Sequence, residues 1–292
     1  MQNNTFSALG IEIKTAQQNA RAICPRCADV HNNQKKTLSC DTVRGLFQCF
    51  RCGWSGRVGG NIGWTDRRPD PSELERNRWK RQRAIDRLMR ESVPITDPIA
   101  MPARTYLGRR MGRILGRYPA LHFHPKARYY RDGQYQVDHP TLIGEVRDIN
   151  GRLITFHRTY LTHDGRKADL DPVRKLMGVP VGSCTGAAIR LSAATDTLVL
   201  CEGIETALAL SLKLHMPAWA CISAHGLETV LVPDSVQRVY IGADHDRNNT
   251  GQRAARRLAH RLWTEGCKNI EIHTPDQAGT DWCDELRNKN DR

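Results

Sequence analysis

Five acidic residues in the last third of the chain stand in an order that suits a divalent cation. Glu202 follows the apolar run Leu198-Val199-Leu200-Cys201 and precedes Gly203. Asp244 and Asp246 follow Val239-Tyr240-Ile241-Gly242, and Asp281 and Asp284 bracket Trp282-Cys283. An extended backbone points residues two apart the same way, so Asp244 and Asp246 share a direction. Carboxylates brought together without a cation repel one another, and hard oxygen donors in this number suit Mg2+ or Mn2+ better than zinc. Singly, an acid at a strand end or before a helix is commonly a cap or a solvated loop residue. The ordered set of Glu-Gly, Asp-x-Asp and a downstream acidic pair is what separates these from that background.

The elements around them are legible in the periodicity. From Thr197 onward apolar strands alternate with helical stretches, at 197–201, 204–214, 218–223, 237–243, 250–265 and 269–273, which predicts a parallel α/β sheet. In such a sheet the C-terminal strand ends lie along one rim, so Glu202 and Asp244 are expected side by side.

A second chemistry sits near the N-terminus. Cys24-Pro25-Arg26-Cys27 and Cys49-Phe50-Arg51-Cys52 are two C-x2-C knuckles. Each offers two thiolates from one tight turn, and together they close a tetrahedral shell around Zn2+. Redox thiols and an iron–sulfur centre are the alternatives. Lys36 to Cys40 and Gly45 to Cys49 read as hairpin strands, so residues 1–60 are expected to form a β zinc ribbon that depends on its metal to fold. Cys40 and His31 compete as ligands, but Cys40 shares a strand face with Leu38 and is expected to be packed, and His31 is expected on a loop surface. Arg26, Lys35, Lys36, Arg44, Arg51 and Arg57 surround the cluster with Phe47, Phe50 and Trp54. That mixture can track phosphate and stack unpaired bases, although at least one of Phe47 and Trp54 is expected in a miniature core.

Between these ends, Asp70-Pro71-Ser72-Glu73 opens a basic helix running to Glu91, either a solvated linker or a DNA contact. Residues 97 to 117 read as a further helix. Leu142 to Arg147 and Leu153 to Arg158 flank Asn150-Gly151, the signature of a hairpin closed by a type I′ turn. The expected architecture is therefore multidomain α+β and α/β: ribbon 1–60, basic helical linker 61–96, an α+β bridging module 97–194, and an α/β parallel sheet 195–292.

Composition narrows the partners. The 292 residues carry 44 Lys+Arg against 31 Asp+Glu, a formal charge of +13, which favours polyanions and makes nucleic acid the leading class. The first residues lack the basic-then-apolar pattern of a secretory signal, and no apolar run approaches bilayer length, so a cytoplasmic location without membrane contact is expected. No Gly-x4-Gly-Lys-Ser/Thr motif occurs, so a replicative helicase is expected to be a separate protein.

The acidic set resembles the Toprim domain shared by primases, topoisomerases and some nucleases, over about residues 195 to 290. Its departures are His245 between the two aspartates and the Asp-Trp-Cys-Asp final motif; His245 is expected to point away from the metal. A zinc ribbon ahead of Toprim resembles the bacterial primases of the DnaG type, and more closely the compact primases of plasmids and satellite phages. Arg104 to Gly112, His122-Phe123-His124-Pro125, His157-Arg158-Thr159-Tyr160-Leu161 and Arg174-Lys175-Leu176-Met177-Gly178 follow the same order. The resemblance implies that Glu202, Asp244 and Asp246 are the metal-binding and catalytic acids, joined by Asp281 or Asp284. It implies that Arg158 and Lys175 line the groove between bridging module and Toprim and touch template phosphate or the incoming ribonucleoside triphosphate. Arg147 and Arg152 are weaker members of that set, and Arg51 and Trp54 are the ribbon's DNA contacts. The implied activity is template-directed synthesis of RNA primers on single-stranded DNA, with a Toprim nuclease and a noncatalytic DNA-binding factor as the alternatives.

Overall fold

Alternation of buried and exposed side chains builds the sheet near the N-terminus. In the computed structural model, which describes residues 6–13, 17–26, 36–49, 54–58, 71–112, 116, 118–131, 133–245, 249–267, 269–275 and 280–290, β1 (Asn19–Ala22), β2 (Leu38–Asp41), β3 (Leu46–Cys49) and β4 (Ser55–Arg57) form an antiparallel sheet in that order. Ala20, Ala22, Leu38, Cys40, Phe47 and Cys49 are buried on it together with Ile11 and Cys24. Cys40 is thus a packed residue, as its pairing in parity with Leu38 predicts, and burial raises its thiol pKa. Phe47 lies against Trp54 at 4.6 Å. Gly56 leaves room for that ring, since a Cβ there would come within 2.8 Å of it. The sequence reading found β2 and β3 but not the flanking β1 and β4.

The chain divides into two compact units at Asp70/Pro71. Helix α1 (Pro71–Glu91) therefore belongs to the second unit and is not part of a separate 61–96 linker. Its arginines face water, but Ile85 and Leu88 are buried against Ala127, Tyr129, Ile143, Phe156 and Tyr160. Two buried apolar positions three apart on one helix face are enough to dock it.

After the short β5 (Val93–Pro94), Asp97 caps a 3-10 turn at Pro98–Ala100, its carboxylate accepting the Ile99 amide at 3.0 Å. Helix α2 (Met101–Met111) follows and ends earlier than residue 117, because Gly112 takes a left-handed conformation at its C-cap. Then come β6 (Leu121–Arg131), β7 (Gln134–Arg147), β8 (Leu153–Tyr160), β9 (Arg174–Leu176) and β10 (Ala188–Arg190). The β7–β8 connection corrects the expected type I′ turn. Only Gly151 has positive φ, at 82°, and the loop closes through Gly151 N to Asp148 O and Asp148 N to Arg152 O. The Asp148 carboxylate takes the Asn150 and Arg152 amides, which removes any need for Asn150 to be left-handed.

The C-terminal part holds β11 (Thr197–Cys201), α3 (Ile204–Leu214), β12 (Ala218–Ala220), α4 (Ala224–Thr229), β13 (Arg238–Gly242), α5 (Thr250–Thr264), β14 (Asn269–His273) and α6 (Trp282–Asn290). Strands β12, β11, β13 and β14 are parallel neighbours, as predicted, and α4 and α6 are the helices that the periodicity missed. The bridging module and this sheet are not separate bodies. β10 pairs antiparallel with both β7 and β12, giving one ten-stranded sheet with the order β14-β13-β11-β12-β10-β7-β6-β5 and β8 and β9 branching from β7. One core spans the expected 194/195 boundary, with Tyr106, Leu107, Ile189, Ile204, Leu208 and Trp282 in a single cluster.

The turn into α4 is tightly constrained. Ser223 caps the helix by accepting the Gly226 amide at 3.0 Å, and a Cβ on Gly226 would lie 1.9 Å from the Cys221 carbonyl oxygen. Because that obstacle is backbone, Gly226→Ala is expected to lower stability by about 3 kcal/mol, read as a shift in the urea midpoint at unchanged slope.

Candidate active site

The cleft forms where strand order reverses. The chain runs from β11 to β12 on one side and then to β13 on the other, and all three strands end at one rim, with Cys201 level with Gly242 and Ala220. Ligands bind at such switch points because the adjacent connections diverge and leave a crevice. Here the crevice is a cavity of about 190 Å³, lined by Glu202, Glu205, Asp244 and Asp281 together with Arg110, His157, Lys167 and Arg174. Glu202 leaves β11 and Asp244 leaves β13, as the periodicity predicts. Asp246 lies outside the described residues.

Asp244 is oriented by Thr206, whose hydroxyl donates to its Oδ1 at 3.1 Å. Thr206 stands about one helical turn beyond Glu202, a spacing that could have flagged it. His245 turns away from the cleft, its Nδ1 2.9 Å from the Pro275 carbonyl.

Asp281 and Asp284 play unequal parts. Asp281 Oδ1 accepts the Cys283 and Asp284 amides at 3.0 Å each, and Asp284 Oδ2 accepts the Asp281 amide at 3.2 Å. This reciprocal capping box starts α6. Oδ2 of Asp281 is paired with Arg110. Asp281 therefore reaches the cleft with its oxygens engaged, while Asp284 is not among the lining residues. The donors nearest to the requirements of a hard cation are Glu202 and Asp244, with Asp281 behind Arg110. Among the described residues no three Asp, Glu, His or Cys side chains converge closely enough to hold a metal by themselves.

The cationic side differs from expectation by one residue of strand parity. Arg158 pairs with Lys175 across β8 and β9, whereas His157 pairs with Leu176 and Thr159 with Arg174. Parity puts His157 and Arg174 on the cleft face. Arg158 and Lys175 fall on the opposite, α1-covered face. Arg158 lies 5.6 Å from the Tyr160 ring, Lys175 lies 4.1 Å from the Tyr129 ring, and the Lys175 ammonium donates to the Tyr130 carbonyl. Arg147 is also elsewhere: its Nε donates to Glu145 at 2.7 Å and its Nη1 to the Gly151 carbonyl at 2.7 Å. Arg152 is exposed and pairs with Asp148 at 3.1 Å.

On the cleft wall lies a hydrogen-bonded triad that periodicity did not single out, with Glu205 and Arg174 lining the cavity and Tyr106 behind them. Glu205 is buried, accepts the Tyr106 hydroxyl, and takes Nη2 of Arg174 at 2.6 Å. Burial pushes its carboxyl pKa up, but Arg174 and the Tyr106 hydrogen bond outweigh that and hold it down at about 2. His157 is driven the other way. Burial, with Arg174 and Arg158 adding and Glu205 opposing, lowers its pKa to about 4, so the ring is neutral near pH 7.

In the first unit, Leu38 pairs with Ala22 on one side and Cys49 on the other. Cys24, two residues beyond Ala22, and Cys49 thus come to the same end of the sheet, both buried. The Cys49 amide donates to the Trp54 carbonyl at 2.7 Å. Two buried thiols at one sheet end fit the donor chemistry of structural zinc. Cys27, Cys52, His31 and Arg51 lie outside the described residues. Trp54 is half-buried, with Arg26 5.7 Å from its ring.

Comparison with known proteins assigns the two halves of the second unit separately. A family model described as a domain of unknown function (DUF7146) matches residues 79–191, and one described as the Toprim domain matches residues 197–291. A search of curated proteins finds no match. Among solved structures, the DnaG catalytic core aligns with a TM-score of 0.47 and 15% identity, covering 74% of this chain and 76% of that one. The E. coli primase catalytic core aligns at 0.46 and 16%, covering 72% and 75%. The primase fragment of the bacteriophage T7 primase-helicase protein aligns at 0.42 and 13%, covering 93% and 96%. No described helix is long and apolar enough to cross a membrane.

Proposed function

We propose that this chain is a DNA primase that joins ribonucleotides into short primers on single-stranded DNA. The observation that carries the reading is the rim of the sheet that matches the Toprim domain, where Glu202 and Asp244 meet in one cleft lined on its far side by cations. That pairing of an acidic wall with a basic one suits nucleotidyl transfer, in which a cation-binding centre faces a leaving polyphosphate. The cytoplasmic plasmid or phage setting, the separate helicase and the ribonucleotide preference belong to the same proposal.

Glu202, Asp244 and Asp246 would hold Mg2+ or Mn2+, with Asp281 contributing on release from Arg110. When bound, that metal would polarise phosphoryl oxygens and make the attacking 3′-hydroxyl more acidic. Thr206 fixes the Asp244 carboxylate, and Glu202 either binds metal or takes the hydroxyl proton. Cys24, Cys27, Cys49 and Cys52 would hold structural Zn2+, leaving Arg51 and Trp54 to meet template.

Arg158, Lys175 and Arg147 serve template phosphate from outside the cleft in this reading. Near Lys175, whose ammonium donates to the Tyr130 carbonyl, the exposed Tyr130 and Tyr135 meet edge to face at 6.0 Å. Exposed aromatics beside cations are the usual means of holding unpaired strands. Single-stranded DNA affinity is expected to fall steeply between 50 and 200 mM salt, by about tenfold or more. Fluorescence anisotropy measures this, and a salt-independent constant would remove phosphate contact as the main attraction. The activity itself is tested by supplying template, ribonucleotides and magnesium to the purified chain; cleavage of DNA without primer formation would replace the primase reading with a nuclease.

A further inference from the structure

Helix α1 carries more positive charge on one face than docking it requires. Ile85 and Leu88 hold its inner side on the second unit's core, and Arg81 adds a hydrogen bond from Nη1 to the Val179 carbonyl at 3.1 Å. On the outer side Arg76, Lys80, Arg83, Arg87 and Arg90 follow at steps of four, three, four and three residues, all of them exposed. At 3.6 residues per turn those steps keep the five cations within an arc of about 80°, over a length of about 21 Å.

Such a stripe costs the helix stability. Like charges three and four apart repel, and here four such pairs follow one another. Solvated helices mix the signs along a face instead. None of the acids of α1 falls inside the arc. Glu75 and Asp86 lie further round, Asp86 accepting the side-chain amide of Gln82 at 2.8 Å, while Glu73 and Glu91 stand at its margin at the two ends, Glu91 facing His124 at 3.3 Å. Among the described residues, Lys80, Arg83, Arg87 and Arg90 have no carboxylate within 4 Å. A row of phosphates is the complement that would turn this repulsion into attraction.

Two further features narrow the polyanion. Four of the five cations are arginines, whose planar fork suits phosphate oxygens. Beside the stripe stands Trp79, 59% exposed, with the Arg83 guanidinium 4.5 Å from its ring centre. An exposed indole next to phosphate-binding cations is a platform on which an unpaired base can stack, and paired bases in a duplex cannot reach it. The stripe is also remote from the acids. α1 packs on the face of β8 that carries Phe156 and Tyr160, whereas His157, on the other face, lines the cleft.

We propose that the outer face of α1 is a binding surface for single-stranded DNA, with Lys80, Arg83, Arg87 and Arg90 on successive phosphates and Trp79 under a base. A strand held there lies on the opposite side of the sheet from the cleft, so it retains the DNA and takes no part in the chemistry. The inference does not rest on the reaction proposed for the cleft.

The test is fluorescence anisotropy with the full chain, using an oligothymidylate of about 30 nucleotides, longer than one such site needs, and a blunt duplex of equal length. Lys80→Gln/Arg83→Gln/Arg87→Gln/Arg90→Gln keeps good helix formers at every position, and circular dichroism checks the fold. It is expected to weaken oligothymidylate about a hundredfold at low salt and to lower the log–log salt slope by about 3, the share of four phosphates. Trp79→Ala should weaken oligothymidylate about tenfold at unchanged slope and leave the duplex constant as it was. A quadruple variant with the wild-type constant and slope would overturn the proposal. So would Trp79→Ala without effect, together with equal losses for duplex and single strand in the quadruple variant, since α1 would then attract any polyanion. Asp244→Asn should bind oligothymidylate as wild type does. Stripe-dependent binding by a wild type that makes no primers would discard the primase reading and keep this surface; primers from a wild type whose quadruple variant binds normally would do the reverse.

Discussion

Asp244→Asn is expected to reduce primer synthesis by about a thousandfold or more while leaving the fold, zinc content and DNA affinity nearly unchanged. Asparagine keeps an oxygen for the Thr206 hydroxyl, which now donates to Asp244 Oδ1 at 3.1 Å, so the side chain can stay where it is. What disappears is a negative charge at the rim, whose adequate partner is a divalent cation. Asp246→Asn and Glu202→Gln are expected to act in the same direction. Timed primer extension on a single-stranded template, with circular dichroism as the fold check, measures this. A double Asp244→Asn/Asp246→Asn variant working at the wild-type rate would mean that the chemistry happens elsewhere.

Cys49→Ser should remove zinc from the first unit and unfold its sheet. The expected effect is large because, with the proposed zinc bound, a unit with so small a core would draw most of its stability from the metal, on the order of 10 kcal/mol for structural zinc sites. Cys49 is buried at the end of β3, level with Leu38, where a serine hydroxyl is a poor zinc ligand and an unsatisfied polar group. Metal analysis should show zinc falling to about a tenth of stoichiometry or less. Initiation on template should fail, while extension of a preformed primer survives better, because the second unit keeps its own core. Zinc retained in Cys49→Ser and lost in Cys40→Ser would reassign the ligands, against the packing of Cys40 on the buried face of β2.

Much of this was readable from residue order. The run Leu198 to Cys201 is apolar at every position because β11 is covered on both faces, and Glu202 had to emerge at its C-terminal end. The same holds for Asp244 after β13, so parallel pairing alone brings the two acids together. Cys40 likewise follows Leu38 into the sheet's core by simple alternation.

Faces, partners and boundaries needed the third dimension. Alternation along β8 divides Phe156, Arg158 and Tyr160 from His157 and Thr159, but nothing local says which set meets the cleft. α1 packs with the first set and the cleft beside Glu205 meets the second, so Arg174 lines the site and its neighbour Lys175 does not. Glu205 and Tyr106 are 99 positions apart in the chain, and their contact exists only because α2 packs on α3. Asp281 reads as a metal ligand by composition, yet Arg110 and the first turn of α6 claim its oxygens. The divide expected at residue 194 separates the two matched families but not the packing: β10 is three residues long, too short to signal itself, and it bonds to strands from both sides of the divide. Periodicity along the chain determines which residues can share a face, while packing between distant elements determines which face becomes the site.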